Sequence, residues 1–141
     1  MVRGLSGRLV AILLLAGVAA GCDDEAPTTP TTPTVPVTVT FTGQVVQSGS
    51  ATHNFSTTTS GAVTATLKSI GTDNTVVVAF SLGTWTGSAC SIVLENPAAT
   101  GGAALTGTMT GAGTLCARIG DVGNIPAGPP VAYSIEVTHP S

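Results

Sequence analysis

Three cysteines, two histidines and one tryptophan are the side chains of this 141-residue chain best suited to chemistry or recognition. His53 and His139 stand alone, with no H-x-x-x-H or C-x-x-C nearby, and metal sites are built from such clusters. No metal or other cofactor is therefore expected. Counting alone would allow a Ser-His-Asp set, yet the chain holds no G-x-S-x-G elbow and no helix to follow one. His53 falls in a predicted strand beside Phe55, and His139 lies two residues from the end. Both read as surface residues, and the expected class is not an enzyme. A small hydrolase working through His53 or His139 stays open as the alternative. Asp121, in "IGDVGN", sits at a strand end, where Asp and Asn make turns. Trp85, in "GTWTGSAC", could stack on a sugar ring if exposed. The favoured reading is that it packs over a disulfide and closes one end of the core.

Charge excludes one class of partner. The chain has four Lys and Arg against seven Asp and Glu, a net charge of −3. Two of the four bases, Arg3 and Arg8, precede a short apolar run, so the remainder keeps only Lys68 and Arg118. Nucleic-acid binding needs a basic surface, so no nucleic-acid partner is expected.

Cys22 ends that apolar run, "LVAILLLAGVAAG", which is shorter than the ~20 residues that span a bilayer. A basic start, a short apolar core and small residues at the end make an export signal. "AGVAAG" would also suit an ordinary small-residue cut, leaving Cys22 free in a plain secreted protein. "VAAGC", however, resembles the lipobox of bacterial lipoproteins, although Ala19 stands where Leu is usual. The resemblance implies cleavage after Gly21, a diacylglyceryl group on the Cys22 thiol and a membrane reached through that lipid anchor. Cysteine arithmetic agrees. With Cys22 lipidated, Cys90 and Cys116 remain as an even pair in an exported compartment where disulfides persist. A Cys90–Cys116 disulfide is therefore expected. Strict alternation sets Cys90 with Ile92 and Leu94 but Cys116 opposite Leu115 and Ala117, so Cys90 is expected at a strand edge or bulge.

Residues 22–36 read as a linker. Asp23, Asp24 and Glu25 are expected to solvate the tether; the alternative is a sorting signal, since an Asp just after the lipidated Cys resembles the mark that retains enteric lipoproteins in the inner membrane. Pro27, Pro30, Pro33 and Pro36 recur every third residue, the repeat of polyproline II, and about 45 Å would be covered at full extension. Such a spacer is semi-rigid and holds a domain off a membrane. Whether its threonines carry sugar is left open.

The elements that must position the rest are strands. Val35, Val37, Val39 and Phe41 alternate with threonines. Val63, Ala65 and Leu67 form a second apolar row, and Val76, Val78, Phe80 and Leu82 a third. Leu105 to Met109, Leu115 to Ile119 and Val131 to Val137 repeat the pattern. Period two with one apolar face marks half-buried antiparallel strands. With Ala51–Ser56 and Cys90–Glu95, about eight strands result, broken by Gly, Asn, Asp and Pro clusters. The expected fold is all-β, a single antiparallel β-sandwich over residues 37–141, close to the ~100 residues of an immunoglobulin-like domain.

A family resemblance joins these segments. "GSATHNFSTTTSGAVTATLKSI", "LGTWTGSAC" and "GAGTLCARIGDVG…VAYSIEVTHP" resemble the bacterial pre-peptidase C-terminal domain. The matching positions are Gly49, Ser50 and Phe55; Gly61, Val63 and Leu67; Gly113, Thr114, Arg118 and Ile119; and Tyr133, Ile135 and Val137. The resemblance implies a jelly-roll-like sandwich that usually serves as a non-catalytic appendage of secreted peptidases. No peptidase domain stands in these 141 residues. Calcium, which some collagen-binding relatives hold through an acidic first strand, is not carried over, because the Thr/Pro spacer occupies that segment. The expected protein is an envelope lipoprotein facing the periplasm or exterior. It displays a non-catalytic domain to an envelope protein or polysaccharide, with Trp85 as a possible contact.

Overall fold

Alternating Thr and Val over residues 36–45 favour an extended chain, since β-branched side chains pack well on a pleated surface. The computed structural model describes residues 34–141. The leader, Cys22 and the spacer as far as residue 33 lie outside the described residues. Eight strands follow: β1 (Pro36–Val45), β2 (Ser50–Thr57), β3 (Gly61–Ile70), β4 (Val78–Trp85), β5 (Cys90–Ala99), β6 (Ala104–Met109), β7 (Gly113–Asp121) and β8 (Val131–Pro140). They form two four-stranded sheets, ordered β1-β8-β3-β6 and β2-β7-β4-β5, and every pairing is antiparallel. These interleaved orders make a jelly roll.

The apolar rows meet between the sheets. Val63, Ala65, Leu67, Phe80, Ile119, Ile135 and Val137 are all buried there. Burying one such large side chain stabilises by roughly 1.5–3 kcal/mol. In β3 the buried positions jump from Leu67 to Ile70, because the register against β8 shifts between Leu67 and Ser69. The extra residue re-aims the strand end while keeping both apolar side chains inside. Asp121 ties down the following loop. Its Oδ1 accepts the backbone N–H groups of Gly123, Asn124 and Ile125, and its Oδ2 accepts that of Ser48. These bonds hold the Asp121 carboxyl below the usual carboxylate range, and they seat Ile125 in the core. The expected turn role is what Asp121 performs.

On the outside of the first sheet the threonines come into line. Thr38, Thr138, Thr64 and Thr106 sit side by side across all four strands. Thr38 and Thr138 hydroxyls are 3.0 Å apart, and those of Thr64 and Thr106 are 3.1 Å apart. One ion pair crosses this face, Lys68 to Glu136 at 3.8 Å, and it is exposed enough to add little.

The second sheet carries the disulfide between Cys90 and Cys116, with Cα atoms 5.8 Å apart. The two cysteines belong to β5 and β7, with β4 between them. Neighbouring strands lie ~4.8 Å apart, so strands two places apart would ordinarily be too far for this bond. Two features of sequence close the gap. The β4–β5 register shifts between Leu82 and Gly83, leaving Val93 as an extra residue in β5. Gly83 then lies beneath the β5 backbone, and a Cβ at that position would collide with the Ser91 carbonyl. The start of β5 thus leans over β4 at its one glycine and reaches Cys116, which is the β7 partner of Gly83. The bulge expected near Cys90 is present. It also corrects the expected apolar row, because Ile92 no longer shares the inner face with Leu94 and is 43% exposed.

Candidate functional site

The two edges of the sandwich gather the side chains singled out above in different ways. At the β1/β2 edge, His53 follows the inward parity of Ala51 and Phe55. His139 follows that of Tyr133, Ile135 and Val137. The expectation that both are surface residues is therefore corrected. His139 is only 6% exposed and His53 is half-buried. The alternation that aims the neighbouring apolar residues inward aims the histidines inward too.

Around them lies an aromatic cluster. The His53 ring stacks on Phe41, with centroids 4.8 Å apart and planes 12° from parallel. Its Nε2 lies 2.8 Å from Tyr133 Oη. The phenol donates to Nε2 when the ring proton sits on Nδ1. Tyr133 meets the imidazole edge-on, at 5.8 Å. The phenol reaches His53 by leaning across Gly43, its β1 partner; a Cβ there would sit 2.5 Å from the oxygen. Phe55 lies between the two histidines in this packing, 6.4 Å from Phe41 and 5.2 Å from His139. The His139 Nδ1–H donates to the Pro140 carbonyl at 2.8 Å.

Burial lowers the His53 pKa below its ordinary value and raises that of Tyr133. Each shift disfavours the charged form, the effect of desolvation. A general base must lie within hydrogen-bond reach of the proton it takes. Among the described residues, the hydrogen-bond partners of these rings are the Tyr133 phenol for His53 and the Pro140 backbone carbonyl for His139. No serine or carboxylate bonds to either ring among the described residues. Nor do the described residues hold a group of three or more His, Cys, Asp or Glu that could take a metal ion.

The β5/β6 edge carries a cleft of about 330 Å³. Val63, Leu82, Leu94, Met109 and Leu115 form its wall, and Val93 and Thr84 are at its mouth. Its lining includes neither histidine and not Trp85. Trp85 pairs with Cys90 at the end of β4, half-buried, on the parity of Ser81 and Gly83. That parity puts it on the outer face beside the disulfide, and it is not part of the buried core. The expectation that it closes one end of the core is corrected by its odd-numbered place in β4, since Phe80 and Leu82 take the inner face.

The histidine cluster does carry a signal in the sequence. His53 and His139 each continue an apolar row at period two. The cleft had a weaker signal, two glycines, Gly83 and Gly107, on strands that otherwise bear side chains. The chain matches no protein-family model and no curated protein.

Proposed function

We propose that this chain is a bacterial envelope lipoprotein, anchored through lipid on Cys22, that displays its sandwich as a non-catalytic binding or accessory domain. One observation carries the reading of the domain: its reactive side chains are consumed by structure. Both described cysteines form the disulfide, and both histidines are packed among aromatic rings. The anchor is supported by "VAAGC" after a basic start and a short apolar run. The disulfide accounts for the remaining two cysteines, so a lipidated Cys22 leaves no odd thiol. The threonine face offers short hydroxyls in register to an envelope protein or polysaccharide. The jelly roll is the fold that the pre-peptidase C-terminal resemblance implies, and an appendage role follows from that resemblance.

A second reading, a small envelope hydrolase using His53 or His139, draws on the His53–Tyr133 pair, whose members are both shifted in pKa. It is the weaker reading because the pair packs against Phe41 and is not part of the β5/β6 cleft.

The anchor is tested by intact mass of protein extracted from membranes. The expected chain starts at Cys22 and carries two or three acyl groups, since one chain holds a protein only marginally. Cys22→Ala should release the protein from the membrane fraction. A mature chain beginning elsewhere, or an unmodified Cys22, would refute the anchor.

A further inference from the structure

We infer that the cleft between β5 and β6 binds one aliphatic chain bearing a neutral, oxygen-containing head. This adds a small-molecule ligand, at a separate place on the fold, to the binding domain proposed above and rests on that reading. Three observations carry it. The first is size. At 330 Å³ the cleft falls in the range of small-molecule sites, ~300–1,000 Å³. It would hold roughly ten methylene-sized groups if each takes about the 30 Å³ of a liquid water.

The second observation is lining chemistry. The wall is mainly aliphatic and sulfur-bearing, through Leu82, Leu94, Leu115 and Met109; Thr84, Thr106 and Thr108 are its polar members, and no aromatic or charged residue lines it. A charge inside would lack a partner and lose its hydration. A flat ring or sugar would find no aromatic face to stack on. A flexible hydrocarbon needs neither. At the mouth, the Thr84 hydroxyl and the peptide groups along the outer edge of β6, which pair with no further strand among the described residues, suit a hydroxyl or carbonyl.

The third observation is that the opening is built. The Val93 bulge re-aims β5, and Gly107 in β6 leaves the space facing Leu94, whose Cδ1 a Cβ there would only touch, at 3.4 Å. Val93, 68% exposed, extends the apolar surface outward from the mouth. An extended peptide is the less suitable occupant. The bulge and Pro97 blunt the β5 edge against strand addition, and β6 offers only six residues.

The test uses the full chain bearing Cys22→Ala, so that no acyl group on the protein competes. Straight-chain primary alcohols from hexanol to tetradecanol are titrated while methyl NMR signals are followed. Saturable shifts are expected at Leu82, Leu94, Met109 and Leu115. Affinity should rise roughly fourfold per added methylene and level off near ten carbons, where the cleft is full. Gly107→Leu, which fills the cleft, should remove the binding. If that variant does not fold, Val93→Asp, at an exposed position, should weaken it by placing a charge at the mouth. The proposal is overturned by any of three results: no saturable shift, no dependence on chain length, or equal binding to wild type by a folded filled variant. Tighter binding of an alternating Val/Thr hexapeptide than of decanol would likewise overturn it in favour of strand addition. Intact mass of the unmutated chain reports the anchor separately, so failure of the cleft is distinguishable from failure of the lipoprotein reading.

Discussion

The β1/β2 and β5/β6 edges lie at opposite ends of the same two sheets and are finished by different means. At the first, bulk seals the gap. Phe41, His53, Phe55 and Tyr133 interlock, and one hydrogen bond from phenol to imidazole satisfies the two polar tips. At the second, the inward residues are Leu94, Leu105, Gly107 and Met109, and a cleft remains. That edge is held by a covalent tie on the outer face. Histidine thus marks the sealed edge, while the cleft at the other edge, lined by no titratable side chain, keeps the space a ligand needs.

The largest expected effect breaks the tied edge. Gly83→Val puts side-chain atoms where the Ser91 carbonyl passes. The start of β5 must lift off β4, and the cysteines separate. The loss should be at least that of the crosslink, so calorimetry and free-thiol labelling should find a weakly folded protein with both thiols reactive. Removing the crosslink alone, by Cys90→Ser with Cys116→Ser, should cost about 3.5 kcal/mol in denaturant unfolding, the chain-entropy value for a separation of 26 residues. Amide exchange should accelerate most in β5, ahead of β1 and β2.

A smaller effect is expected at the sealed edge. Gly43→Ala sets a Cβ 2.5 Å from Tyr133 Oη and 2.8 Å from Cζ, so the phenol must leave His53. Overpacking of this kind costs about 1–3 kcal/mol, read as a lower Tm with the disulfide intact. The smallest effect is on pH dependence. Burial makes the folded pKa of His53 lower than its unfolded value, which is near the ordinary 6.5. Between these two values the unfolded state binds more protons, so stability is full above the unfolded pKa. It declines as pH falls through the window and levels off below the folded pKa. His53→Phe should flatten that part of the curve; a curve of unchanged slope would show that His53 is not its source.

Much of this contrast was legible in the sequence. The rows Val63–Leu67 and Tyr133–Val137 fix which faces meet, and the parity conflict between Cys90 and Cys116 required the irregularity found at Val93. For the histidines polarity and parity point opposite ways, and parity wins. Their neighbours' apolar rows decide the direction of the chain, and a stacked or hydrogen-bonded imidazole is tolerated inside. The cleft was not legible, since it depends on how far a bulge re-aims a strand and on what stands across from Gly107. Both are properties of packing between segments distant in sequence.

The measurement that tests the contrast between the two edges most directly is deuterium uptake by the full chain bearing Cys22→Ala, with and without decanol, compared strand by strand. The account predicts new protection in β5 and β6, over Cys90–Ala99 and Ala104–Met109, with β1 and β2 unaltered. Protection confined to the β1/β2 edge would contradict it and return the histidines to the centre of function.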